Sequence, residues 1–220
     1  MQLFSQNEES IPDVSAENWL AGSFSYSTKN NLKISLEEQI RMVYGSNPFD
    51  RILSELQIEK EKKIKDIRWS NGWGLRHYLK RDRRENIDSL SPFFRYHLFS
   101  KVRIQIQRWS IYQRVQYQRR REHIPKNNEI GERRRYWRFK TGLGYNFKNW
   151  KLDPEISSEV FIKGFDSPKG QDNKVRFSLG TKKKFSNNFA LTFKYMFEKE
   201  LKNDSPNLNH ILAIRFQIKK

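Results

Sequence analysis

The feature that most constrains this chain is an alternation of apolar and polar side chains that recurs along almost its whole length. In residues 189–198 every second side chain is aromatic or aliphatic, and the same pattern returns in 137–147, 175–180 and 212–218. Because successive side chains of a β-strand point to opposite faces, a period of two predicts strands that lie between two different environments.

Such runs predict eleven strands, which cover residues 18–29, 31–43, 50–62, 65–79, 93–106, 108–120, 135–147, 150–163, 173–185, 188–201 and 209–219. Soluble strands average ~5–6 residues, whereas a tilted strand needs ~9–11 residues to cross a bilayer. The links alternate between short turns and longer polar loops, which is typical of outer-membrane barrels. We therefore expect an all-β fold, an antiparallel transmembrane up-and-down β-barrel of about 10–12 strands, with its apolar face outward and its charged face toward the lumen.

An odd strand number places the two ends of the chain on opposite sides of a membrane, whereas bacterial single-chain barrels have even numbers. Either a strand is missed or merged, or residues 1–17 pass back through or beneath the barrel. We expect residues 1–17 to form a flexible lead-in and residues 18–220 to form a single barrel domain. Residues 1–6 lack the basic and apolar regions of a signal peptide, which fits a signal remnant or an ordinary cytosolic start.

Composition leaves an alternative open. A net charge of +18 and 14% aromatic residues are typical of proteins that bind nucleic acid. The basic residues recur through the whole chain, however, and do not collect in one tail. A soluble basic β protein that binds nucleic acid would also pack its apolar face internally, whereas here the opposite face is too highly charged to form a core.

Catalytic and cofactor sites have little support in the sequence. There is no cysteine, and the four histidines, His77, His97, His123 and His210, lack the spacing of metal ligands. Ser54, Asn71 and His77 share the lipid-facing parity of neighbouring strands, but such residues are more often interfacial polar groups than an esterase site. We expect no enzyme activity, cofactor or metal.

Five segments, in this order, resemble one family. Asn18–Tyr26 and Leu32–Arg41 are similar to the opening hairpin of domain of unknown function 2490, and Arg114–Arg119, Pro154–Phe161 and His210–Ile218 continue the resemblance. That family consists of uncharacterised, predicted outer-membrane barrel proteins common in Bacteroidota. The resemblance implies a cell-envelope location, in the bacterial outer membrane, and a barrel fold, and it implies no established activity. This chain departs from the family pattern in its greater basicity and in its final Ile-Lys-Lys.

Charged residues on the lumen-facing parity predict an internal network. Its members are Glu37, Arg41, Glu55, Arg68, Arg76, Arg103, Arg114, Arg138, Lys140, Glu155, Glu159, Arg176, Lys194 and Arg215. One interpretation is a structural network of paired charges in a barrel with a structural or accessory role, for example as a subunit of an envelope complex. The other is a narrow, porin-like channel that favours anions, because inward Arg and Lys outnumber inward Glu.

A second set of basic residues lies at the long-loop ends of strands. These residues are Lys80, Arg81, Arg83, Arg84, Arg119, Arg120, Arg121, Arg133, Arg134 and Arg135. Arginine binds phosphate through paired hydrogen bonds, so this rim is a candidate contact with lipopolysaccharide; the alternative is a solvated rim of charge.

Four polar residues, Glu38, Ser54, Asn71 and Gln113, interrupt the outward apolar face. We interpret the walls formed by residues 31–43 and 65–79 as candidate contacts with other outer-membrane proteins.

Overall fold

The alternating segments fold into eleven strands in the computed structural model, which describes residues 14–45, 48–82, 89–122, 133–148, 152–164, 173–201 and 206–220. The strands are β1 (Val14–Ser27), β2 (Leu32–Val43), β3 (Phe49–Ile64), β4 (Ile67–Asp82), β5 (Ser89–Ile106), β6 (Trp109–Glu122), β7 (Arg133–Tyr145), β8 (Leu152–Lys163), β9 (Lys174–Lys184), β10 (Phe189–Glu200) and β11 (Leu208–Lys219). In this part of the chain no helix has the length and hydropathy to cross a membrane.

The strands close into a single barrel. Each strand pairs with the next in antiparallel fashion, and β1 pairs with β11. This last pairing is parallel and runs from Val14 opposite Leu208 to Ser25 opposite Lys219. A parallel seam lets an odd number of strands close, since the first and last strands then run in the same direction.

The predicted all-β barrel and strand number are therefore confirmed. The described strands include every predicted one, and the parallel β1–β11 pairing resolves the question that their odd number raised. The predicted domain boundary also changes. Because β1 begins at Val14, residues 14–17 belong to the barrel wall and not to a lead-in. The rest of the predicted lead-in, residues 1–13, lies outside the described residues.

Four short turns, those between β1 and β2, β3 and β4, β5 and β6, and β9 and β10, lie at one end of the barrel. Three of them contain a residue with positive φ: Asn31 at 57°, Lys65 at 52° and Gln107 at 50°. Asparagine tolerates this left-handed conformation well, while lysine and glutamine adopt it at some cost in free energy. The turn between β3 and β4 lies at residues 65–66, slightly beyond its predicted place.

The exterior of the barrel is apolar. Forty large hydrophobic side chains are exposed among the described residues, whereas eleven hydrophobic residues are buried. One row of directly paired residues illustrates the pattern, because Leu36, Leu56 and Leu75 lie side by side on three adjacent strands and all three are exposed. A soluble protein of this size rarely leaves so much contiguous apolar surface uncovered.

Glycines on the inner face make room for large side chains of the neighbouring strand. A Cβ atom at Gly72 would lie 2.6 Å from the Phe99 ring, and one at Gly74 would lie 2.3 Å from the His97 ring. Gly142 accommodates Tyr112 in the same way. The rings therefore lie flat against the barrel wall, and the centre of the lumen is left to charged side chains.

Candidate functional site

The lumen contains a cavity of about 1190 Å³ whose lining residues come from all eleven strands. All fourteen residues of the predicted network line this cavity, and so do Arg51, Arg95, His97, Lys101 and Glu198. The described lining includes 22 lysine and arginine residues but 9 aspartate and glutamate residues. The cavity is therefore strongly basic, and the placement of its few carboxylates determines which basic groups are neutralised.

Glu55 on β3 is a carboxylate that binds arginines of the two following strands, β4 and β5. Glu55, Arg76 and Arg95 lie directly opposite one another on β3, β4 and β5. Glu55 accepts a hydrogen bond from Nε of Arg76, and its Oε2 lies 3.3 Å from Nη2 of Arg95. One carboxylate thus serves two guanidinium groups, and all three side chains are largely buried.

Glu159 holds the corresponding position on the opposite wall. Its Oε1 accepts hydrogen bonds from Nε of Arg138 at 2.9 Å and lies 2.7 Å from Nη2 of the same residue. Nη1 of Arg176 lies 3.7 Å from Oε2 of Glu159, and Nε of Arg176 donates to Glu198 at 2.8 Å. Two arginines and two carboxylates therefore form a chain across β7 to β10.

Three further pairs tie other strands together. Lys101 binds Glu59 at 2.9 Å, Lys194 binds Glu155 at 2.9 Å, and Arg215 lies 3.2 Å from Glu37. The last pair joins β11 to β2 across β1, so it braces the parallel seam.

Two arginines that contact no carboxylate within ion-pair distance among the described residues stack on inward aromatic rings. The Arg41 guanidinium lies 3.6 Å from the Trp19 ring centroid, and that of Arg114 lies 4.2 Å from the Phe99 centroid. Such cation–π contacts stabilise a guanidinium group more strongly when it is shielded from bulk water. The inward rings, Arg95 and His97 are not among the predicted lumen residues, although Arg95 and His97 share the strand parity of Lys101 and Arg103.

The structure divides the predicted basic rim between the two faces. Lys80, Arg120 and Arg134 line the cavity. The alternate positions, Arg119 and Arg121 on β6 and Arg133 and Arg135 on β7, face outward and form two directly opposed pairs. Arg81 also has the outward parity, and Arg83 and Arg84 lie outside the described residues.

We call the four outward residues, Arg119, Arg121, Arg133 and Arg135, the outer arginine patch. One step toward the short-turn end, Tyr117 and Trp137 face each other with ring centroids 5.2 Å apart. The patch therefore lies at the long-loop edge of the apolar exterior, next to an aromatic pair.

The polar interruptions of the exterior meet on the β2–β4 wall. Glu38, Ser54 and His77 are directly opposite one another on three strands. The Ser54 hydroxyl donates to Glu38 at 2.7 Å, so it is directed away from His77, whose ring packs 4.9 Å from that of Phe94. A serine hydrolase needs a serine that donates to a histidine, which is in turn oriented by a polar group. The contacts of Glu38, Ser54 and His77 do not have this arrangement. Asn71 and Gln113 also face outward but lie apart from this row.

The model of the family described as Protein of unknown function (DUF2490) matches residues 16–209, which is most of the chain. No match was found among curated proteins. In the described residues no group of three or more His, Cys, Asp or Glu side chains has the arrangement of a metal site.

Removing a buried carboxylate should destabilise the barrel far more than removing a partly exposed one. We expect Glu159→Gln to lower the free energy of unfolding by about 3 kcal/mol, because two buried guanidinium groups lose their counter-charge. The matched control is Asp153→Asn on the same strand, since Asp153 pairs with an exposed Lys184 and should cost less than about 1 kcal/mol. Urea titration of protein folded into lipid vesicles measures both values; equal losses would contradict a structural role for the network.

Proposed function

The chain belongs to the DUF2490 family, and from that premise we propose that it is an outer-membrane β-barrel with a structural or accessory role and no enzyme activity of its own. The observation that carries this proposal is the reversal of polarity between the two faces. The exposed face is apolar, whereas the enclosed face is charged.

A surrounding lipid bilayer would account for the apolar exterior and the charged interior. Strands of 11 to 18 residues are long enough to span a bilayer. A closed barrel pairs its backbone groups between strands, as the absence of water in a hydrocarbon layer demands. The same exterior argues against a soluble protein that binds nucleic acid, because such a protein would turn its apolar face inward.

The accessory role rests on the paired charges and on the β2–β4 wall. Ion pairs that cross from strand to strand stiffen the barrel from within. A carboxylate such as Glu38 is costly against lipid chains, and a partner membrane protein that covers Glu38, Ser54 and His77 would remove this cost. We therefore propose this wall as the contact with a partner protein of the outer membrane.

A charge placed in the middle of the exterior tests the proposed bilayer. Leu56 is exposed between two other exposed leucines, Leu36 and Leu75. We expect Leu56→Arg to lower the free energy of unfolding in vesicles by about 2–4 kcal/mol, the usual cost of arginine near the midplane. Leu56→Ala is the control at the same position and should cost less. If the exterior faced water, Arg would be tolerated at least as well as Ala, and that result would contradict the proposal.

We assign the outer arginine patch to contact with the phosphates of lipopolysaccharide. Its arginines lie at the edge of the apolar exterior beside an aromatic pair, where lipid headgroups would meet the barrel. Arginine suits this role because its guanidinium group binds phosphate oxygens through two parallel hydrogen bonds.

Neutral substitutions test the patch. We expect Arg119→Gln combined with Arg133→Gln to weaken binding of lipopolysaccharide by roughly tenfold, since each arginine supplies a charge-assisted contact. Lys183→Gln combined with Lys199→Gln removes two outward charges elsewhere and should change binding by less than about twofold. Binding is measured with purified lipopolysaccharide and protein in detergent. Equal weakening by both pairs would show a dependence on net charge alone and would overturn the assignment.

A second candidate function is a narrow path that favours anions. The observation that favours it is the excess of basic over acidic residues around a cavity that reaches both ends of the strands. Basic linings select anions in pores.

Conductance across a planar bilayer tests this second function. We expect an anion preference that falls with Lys140→Glu, because Lys140 lines the cavity, and that persists with Lys199→Glu, which changes an outward residue. The absence of an open state, or a preference for cations, would exclude the channel and leave the structural role.

A further inference from the structure

His97 is a buried polar side chain whose ring nitrogens have no partner. Only 2% of its surface is exposed, and neither Nδ1 nor Nε2 makes a hydrogen bond. Its ring lies against Gly74, where no side chain intervenes, and it belongs to the lining of the basic cavity. Buried polar atoms in native proteins nearly always have a partner, so these nitrogens indicate a place for a polar ligand.

Two arginines flank His97 and present further unpaired donors. Arg95 lies two residues away on the same strand face, and its Nε is buried without a partner while its Nη2 lies near Glu55. The Phe99 ring lies 6.0 Å from the His97 ring, and the Arg114 guanidinium lies 4.2 Å from the same Phe99 ring. Nε of Arg114 is also buried and unpaired. His97 on β5 and Arg114 on β6 therefore lie near the same Phe99 ring, and Arg95 occupies the next inward position of β5 beyond His97.

The charge balance at this place is uneven. Arg114 lies directly opposite Lys101 on one side and Lys140 on the other. Lys101 is neutralised by Glu59, and Glu159, directly opposite Lys140, is engaged by Arg138 and Arg176. Among the described residues no carboxylate lies within ion-pair distance of Arg114 or Lys140. Like charges directly opposite each other on adjacent strands destabilise a sheet, and a bound anion would relieve that repulsion.

We propose that Arg95, His97 and Arg114 form a binding site for a phosphate group inside the barrel. Guanidinium groups match the oxygens of a tetrahedral oxyanion, and imidazole adds a hydrogen bond from the wall. Lys140 supplies a further positive charge from β7. Free phosphate and the phosphate ester of a small sugar share this chemistry, and the cavity of about 1190 Å³ has room for either.

This site goes beyond the proposed function and does not depend on it. It lies within the lumen, whereas the outer arginine patch faces outward, and it would bind phosphate whether or not the barrel conducts ions. Protein folded in detergent therefore suffices for the test, and a failure to bind would leave the membrane proposal intact.

The test is calorimetric titration of the full chain, folded in detergent, with inorganic phosphate and separately with glucose 6-phosphate at low salt. We expect saturable binding, weakened roughly tenfold by Arg114→Gln because a buried charge-assisted contact is lost. The matched control is Arg103→Gln, which removes another cavity-lining arginine that stacks on a ring, that of Tyr112 at 5.3 Å. This control should change the dissociation constant by less than about twofold. Tighter binding of the sugar phosphate would assign the site to the ester, and tighter binding of inorganic phosphate would assign it to the free ion.

A second variant keeps the test independent of folding defects. His97→Phe retains a ring that packs on Gly74 but removes both nitrogens, so it should fold, as checked by heat-modifiable migration, and bind phosphate several-fold more weakly. No saturable binding to the wild-type protein would overturn the proposal. Equal losses for Arg114→Gln and Arg103→Gln, or unchanged binding by folded His97→Phe, would also overturn it, because the cavity would then attract phosphate through diffuse charge alone.

Discussion

The pairing of β1 with β11 is the constraint on which the rest of the structure depends. Twelve residue pairs in parallel register join the two ends of the sheet and leave the barrel without a free edge. Closure fixes which side chains point inward, and it forces 22 basic and 9 acidic residues into one enclosed space. The ion pair between Arg215 and Glu37 crosses this seam, so the charged interior in turn helps to hold the closure.

Much of the fold could be predicted because the side chains of a strand alternate between its two faces, so each face's environment determines every second residue. The run from Phe189 to Glu198 is sufficient to define β10 and both its faces. The closure could not be predicted in the same way, because alternation says nothing about which strands pair. Residues 14–17 lie before the first predicted strand, which begins at residue 18, yet they pair with β11. Their place in the barrel depends on contacts nearly 200 residues away along the chain.

For the candidate sites, the sequence predicts which residues face the lumen but not which of them contact one another. The parity of each strand placed charges such as Glu55 and Arg176 in the lumen, because only one face of a strand is apolar. Sequence could not predict which charges meet, since partners such as Arg138 and Glu159 are set by register and by the reach of the side chain. Inward aromatic residues cannot be predicted from the sequence for a related reason. Phe99 fits inside because Gly72 on the next strand leaves room for its ring, and that relation exists only after pairing.

The central claim is that the apolar exterior faces lipid and the charged interior does not, and tryptophan fluorescence tests it most directly. Trp73 and Trp137 are exposed on the exterior, whereas Trp19 lines the cavity beside Arg41. Proteins that retain one of these tryptophans, folded into vesicles with brominated acyl chains, report contact with lipid through quenching. We predict strong quenching of Trp73 and Trp137 and little quenching of Trp19. Equal quenching of all three, or none at Trp73 and Trp137, would contradict the orientation of the barrel described above.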